Sequence, residues 1–324
     1  MELPKVELHL HLDCSLSYEA VRRLDPKIDE DTYRHTFIAP PKCLDLADFL
    51  TRASQGIRLM QNQEQLEVVT RDLMRQLRAD NVIYAEIRFG PLLHTQGGLS
   101  AGKVVETIHR ALEEGIAETG VDARLILCTL RHYSQAQSME IVRLVESFSG
   151  SKVVGFDIAS DEAHFPIDEH IKAFYFARDK GIPRTAHAGE ARGPKSVWET
   201  LEHFAPGRIG HGVRSIEDPR LVTQLAERQV HLEICPTSNI QTNIYGEMED
   251  HPVERLWEAG LSIGINTDAR TIAAVRLVDE YQKLKNTFQW GEAHFRQANL
   301  HALNAAFLDE ETKKKLRVKL EKVD

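Results

Sequence analysis

Short apolar runs rich in Val, Ile and Leu recur along the chain, separated by stretches in which apolar residues return every three or four positions. The runs Lys5–Leu12, Val82–Phe89, Arg124–Leu130 and Val153–Ala159 read as strands. Pro183–Ala188, Arg208–His211, Val230–Cys235 and Leu261–Thr267 extend the series to eight. Between them, Gln63–Asp80 places Leu66, Val69, Leu73, Met74 and Leu77 on one helical face, and Ser138–Phe148 and Leu221–Arg228 repeat the pattern. Strands that alternate with helices pair in parallel through crossovers. Eight such units predict an α/β fold, a (β/α)8 TIM barrel, with residues 1–324 as a single domain. No linker rich in Gly, Pro or Ser interrupts it, and no internal repeat is visible.

Two segments exceed a minimal barrel. A long stretch between the first two strands carries extra helical matter, including Leu44–Leu50. An insertion after a barrel strand sits over the C-terminal face, so it is placed to act as a lid, with its leucines and Phe49 available to cover a ligand or to pack. The tail from Glu310 reads as a solvated terminal helix with i,i+4 charge pairs.

Composition narrows the class. Of 324 residues, 42% are hydrophobic and 27% charged, which excludes disorder and low complexity and leaves enough apolar matter for a large core. The balance of 40 Lys plus Arg against 49 Asp plus Glu gives −9, so nucleic acid and anionic membranes are poor partners. No apolar run approaches the ~20 residues of a membrane span, and the charged N-terminus is no signal peptide. Cys14, Cys43, Cys128 and Cys235 are widely spaced, which argues against a disulfide framework or a cysteine-built zinc site and fits a cytoplasmic protein.

The first strand is the most informative. Strict alternation sends Val6, Leu8, Leu10 and Leu12 one way and Glu7, His9, His11 and Asp13 the other. An isolated H-x-H is ordinarily a half-buried strand with a wet face. In a barrel, however, one face packs on helices and the other fills the interior, so the two imidazoles aim inward and suit a metal. His187 and Glu190 end the fifth strand, His211 the sixth and Asp268 the eighth. Each alone has a bland explanation: a satisfied strand-end histidine, a helix-dipole carboxylate, an N-cap. Together they fall on the face where barrel enzymes do their chemistry.

Five pieces, in order, carry a resemblance: Val6–Asp13, Val154–Glu162, His187–Glu190, Gly210–Gly212 and Asn266–Asp268. The chain resembles the metal-dependent amidohydrolase superfamily and, within it, the adenosine deaminase family. The resemblance implies one Zn²⁺ held by His9, His11, His187 and Asp268, with water as the remaining ligand. It implies that His211, assisted by Asp268, deprotonates that water while protonated Glu190 delivers a proton to purine N1. Mixed imidazole and carboxylate ligands with an open position are what catalytic zinc uses, although Fe²⁺ or Mn²⁺ accept the same groups. Binuclear relatives bridge two metals with a lysine ending the fourth strand; here Lys152 lies at that strand's start, which favours a mononuclear deaminase. The other zinc deaminase class needs H-x-E with P-C-x-x-C, which is absent.

By the same resemblance Asp13 binds a ribose 5′-hydroxyl, and His11, Gly189, Ser160 and Ala269 border the substrate. Three positions depart from the family pattern: Cys14 and Ser160 replace glycines, and Asp268-Ala269-Arg270 replaces Asp-Asp-Pro. Ala269 cannot make the N7 contact of the second Asp. Arg270 is then either a compensating donor or a plain surface residue. The expectation is a zinc hydrolase that converts adenosine and deoxyadenosine to inosine and deoxyinosine plus ammonia. The rivals are another purine deaminase, acting on adenine or N6-methylated nucleotides, and a catalytically silent purine-binding protein.

Overall fold

A computed structural model describes residues 3–321. Eight strands follow one another: β1 (Lys5–His11), β2 (Val82–Phe89), β3 (Asp122–Leu130), β4 (Val153–Ala159), β5 (His187–Ala188), β6 (Arg208–His211), β7 (His231–Ile234) and β8 (Ile263–Ile265). They pair in parallel as two arcs, β1 to β4 and β5 to β8. Backbone hydrogen bonds join the arcs at both seams. At one, His11 N–H donates to the Asp268 carbonyl (2.8 Å) and Asp268 N–H to that of His9 (3.0 Å). At the other, Phe156 N–H donates to the Pro183 carbonyl and Thr185 N–H to that of Phe156. The eight strands form the expected (β/α)8 barrel. β5 is shorter than the predicted Pro183–Ala188, because Pro183 has no N–H and only Arg184 bridges to β4 there.

Helices wrap the strands because each presents one apolar stripe. In Gln63–Ala79, Asn62 caps the N-terminus in a capping box with Gln65, and Leu66, Val69, Leu73 and Leu77 are buried. Four shorter helices lie between β1 and this one: Tyr18–Leu24, Glu30–Phe37, Leu46–Leu50 and Ala53–Arg58. The C-terminal helices Glu292–Ala305 and Glu310–Glu321 bring Leu303, Leu316 and Leu320 against Val6, Leu8 and Tyr84. The tail expected to be solvated is therefore amphipathic: Lys315 pairs with Glu311 outside while Leu316 and Leu320 are buried.

β1 breaks its alternation. Its register with β2 slips between Glu7 and Leu10, and the N–H groups of Leu8 and His9 both donate to Asn266 Oδ1 (2.8 and 3.0 Å). This is a β-bulge, the device that re-aims side chains beside active sites. Before it, Val6 and Leu8 pack with Tyr84; after it, Leu10 and Leu12 join the main core. Glu7 does not share a face with His9 and His11, as strict alternation predicted. Its carboxylate instead accepts from Thr267 and from Arg270, whose guanidinium also reaches Asp80 (3.1 Å). Arg270 is 5% exposed and its Nη2 is engaged by Glu7 and Asp80, so it is not a plain surface residue.

Candidate active site

The strand ends deliver the chemistry. His9 Nε2 and His11 Nε2 stand 3.4 and 3.5 Å from Asp268 Oδ1, and His11 Nε2 lies 3.1 Å from His187 Nε2. His9, His187, His211 and Asp268 form a buried group whose candidate donor atoms all lie within 4.8 Å of one another. Left-handed backbone at His211 (φ 61°) and Asp268 (φ 61°) aims both side chains at this point, a strain typical of functional sites. Gly210 leaves the room: a Cβ there would sit 2.9 Å from His9 Cε1.

The far sides of His9 and His187 are each held by a carboxylate. His9 Nδ1 contacts Glu233 Oε2 (2.9 Å), and His187 Nδ1 lies 3.1 Å from Asp157 Oδ2. Arg88 bridges these two acids (2.7 and 2.8 Å), and Arg208 also binds Glu233 (2.8 Å). Against the cost of burial, His187 and Arg88 hold Asp157 ionised far below the usual carboxylate range, as Arg88 and Arg208 do Glu233. Burial pushes His11 down to about 3 and lowers His187 and His211, so these rings are neutral, the form that ligates. His9 Nε2 is buried without a hydrogen-bond partner. Carboxylate-anchored imidazoles converging on an acid, with an unpartnered nitrogen among them, fit a metal ion.

Glu190 stands beside this group, its Oε2 3.6 Å from His211 Nε2. The Asn239 amide meets His211 Nδ1 (3.1 Å), and Ser238 Oγ donates to Asp268 Oδ2 (2.7 Å). Burial, then the charges of Asp268 and Glu162, push the Glu190 carboxyl well above its ordinary value. The site therefore offers a protonated acid next to a neutral base.

A cavity of about 220 Å³ opens beside the group, lined by His11, Asp13, Cys128, His132 and Ser160. The insertion closes it with Leu50, Ala53, Ser54 and Ile57, as a lid segment would. Phe49 instead packs in a buried cluster with Cys14, Cys43, Ala269 and Ile272. Burial opposes ionisation of Asp13, yet His94, 3.6 Å away, holds its carboxyl below the usual range.

The sequence-derived residues separate accordingly. His9, His11, His187, Glu190, His211 and Asp268 converge; Asp13, His11 and Ser160 line the cavity. Ala269 faces the apolar cluster, and the Gly189 N–H is committed to Glu162 Oε1 (2.7 Å). Sequence reasoning missed the anchors Asp157, Glu233, Arg88 and Asn239. Its available signal was a charged residue inside each apolar run of β2, β4 and β7, which in a barrel requires an interior partner.

Comparison with known proteins agrees with this geometry. The family model described as adenosine deaminase matches residues 4–323. An adenosine deaminase of Enterococcus faecalis is 36% identical over 99% of this chain and 96% of its own. Among solved structures, an adenine deaminase from Arthrobacter aurescens superposes with a TM-score of 0.91 at 25% identity, covering 98% of each chain. An Arabidopsis N6-mAMP deaminase gives 0.88 at 25% identity, covering 99% of this chain and 98% of its own. The chain belongs to the adenosine deaminase family and is a hydrolytic deaminase of the amidohydrolase type.

Proposed function

We propose that this protein, as one barrel domain in the cytoplasm, deaminates adenosine and deoxyadenosine to inosine and deoxyinosine. The observation that carries the reading is Glu190 Oε2 set 3.6 Å from His211 Nε2 in the His–Asp group, its carboxyl pushed up by burial, beside a cavity whose wall holds Asp13. We assign one Zn²⁺ to His9, His11, His187 and Asp268. His211, whose Nε2 lies 3.6 Å from Glu190 Oε2, is assigned instead as the base. Bound there, zinc supplies Lewis acidity and a water acidified to a pKa near ~7. Glu190 donates its proton to N1, which drains the ring and opens C6 to attack. His211 takes a proton from the attacking water and returns it to the departing amino group. The C6–O bond forms, the C6–N bond breaks, ammonia leaves, and the oxygen's remaining proton passes to Glu190, which restores the acid and leaves the C6 carbonyl.

Asp13 selects the sugar. An ionised carboxylate accepts a hydrogen bond from a 5′-hydroxyl and repels a 5′-phosphate, and among the described residues no Lys or Arg lines the cavity to offset that repulsion. This argues against nucleotides; the likeness to an adenine deaminase makes the free base the second reading. Ammonia release from adenosine, deoxyadenosine, adenine and N6-methyl-AMP separates them. Adenosine turnover at least tenfold above adenine and N6-methyl-AMP supports the proposal. Fast turnover of adenine with inert adenosine overturns it, and no turnover of any of the four leaves a binding protein.

A further inference from the structure

We propose that Glu162 is a positioning residue that holds the proton-donating Glu190 in place. The inference rests on the assignment of Glu190 as the acid. Glu162 follows β4 in the chain and is 1% exposed. Its carboxylate gathers the turn that carries Glu190. Oε1 accepts from Gly189 N–H (2.7 Å) and from Ser196 Oγ (2.5 Å); Oε2 accepts from the N–H groups of Glu190 (2.9 Å) and Arg192 (2.9 Å).

That turn needs an external anchor. Gly189 is in the left-handed region (φ 66°), and a Cβ there would meet Val197 at 2.5 Å, so the chain reverses sharply where a side chain has no room. The N–H groups of Gly189, Glu190 and Arg192 thereby converge on one point, a concave donor set that suits an anion. Here the anion is a protein carboxylate. Arg131 completes the brace: its Nη2 donates to the His187 carbonyl (2.8 Å) and lies 3.9 Å from Glu162 Oε1. The ends of β3, β4 and β5 are so tied into one unit. Glu162 touches neither the His–Asp group nor the cavity wall, and acts through Glu190.

Glu162→Gln keeps the shape but turns an amide donor toward backbone donors, which displaces the turn. We expect kcat for adenosine to fall about 100-fold, the cost of a misplacement of about 1 Å. KM should stay within about threefold and bound metal per chain should be unchanged. The decisive arm is the same substitution made in Glu190→Gln. A residue that acts only through Glu190 costs no more than about twofold there, whereas a general structural role costs the same in both backgrounds. Should Glu162→Gln not fold, Ser196→Ala deletes one bond of the brace and is expected to lower kcat about fivefold. Parental kcat in a folded variant, or an additive loss in the double variant, overturns the proposal. An active Glu190→Gln single variant instead overturns the acid assignment on which it rests.

Discussion

Ser160 and Glu190 illustrate opposite ways in which a residue bears the cost of a site. Ser160 holds φ at 82°, a conformation that glycine adopts freely and serine does not. Ser160→Gly is expected to stabilise the fold by up to about 1 kcal/mol in urea unfolding. No gain would mean that the hydroxyl makes a compensating contact. Glu190 carries an electrostatic cost. Its folded pKa lies well above the unfolded value near ~4.3, so the folded chain binds an extra proton between the two and loses stability as pH rises through that window. Glu190→Gln removes the effect, and its Tm advantage over the parent should widen as pH is raised from about 4 toward the folded pKa. The same variant should lose about 10²- to 10⁴-fold in kcat while keeping its metal, since it can no longer donate the proton. Near-parental turnover would refute the acid role. At this scale the sequence was legible wherever a chemically distinctive side chain ended a strand. It left Arg270 as either a compensating donor or a surface residue, because its partners Glu7 and Asp80 are brought beside it only by the folded barrel.

Among elements, the bulge in β1 links fold to chemistry. It lets Glu7 fasten the segment Thr267–Arg270 while His9 and His11 both reach Asp268. Asn266 sustains it by accepting two backbone N–H groups. Asn266→Ala leaves both donors buried and unpaired, at a cost of about 2–4 kcal/mol. It should also weaken metal binding, because His9 loses its fixed backbone; unchanged metal affinity would show that Glu233 alone orients the ring. Strand positions were largely legible from apolar runs, Val82–Phe89 and Val153–Ala159 to the residue. The bulge was not, because a two-residue period carries no mark of an inserted residue until the partner strand is known.

Across the whole molecule, the barrel interior is layered. The C-terminal helices pack on Val6, Leu8 and Tyr84; a charged layer of Arg88, Asp157, Arg208 and Glu233 follows, and the imidazoles stand above it. Buried ion pairs contribute little net stability, since desolvation offsets attraction, but they fix geometry. Among the described residues, no helix is long and apolar enough to cross a membrane. The alternation of eight strands and helices made the architecture readable, while the charged layer depends on pairs far apart in sequence.

The central claim is that His9, His11, His187 and Asp268 together bind one metal ion. X-ray diffraction from crystals grown with zinc, with data collected on both sides of the zinc absorption edge, tests it most directly. The account predicts one anomalous peak per chain within about 2.0–2.2 Å of all four side chains. A peak bound elsewhere, or none at these residues, would contradict it.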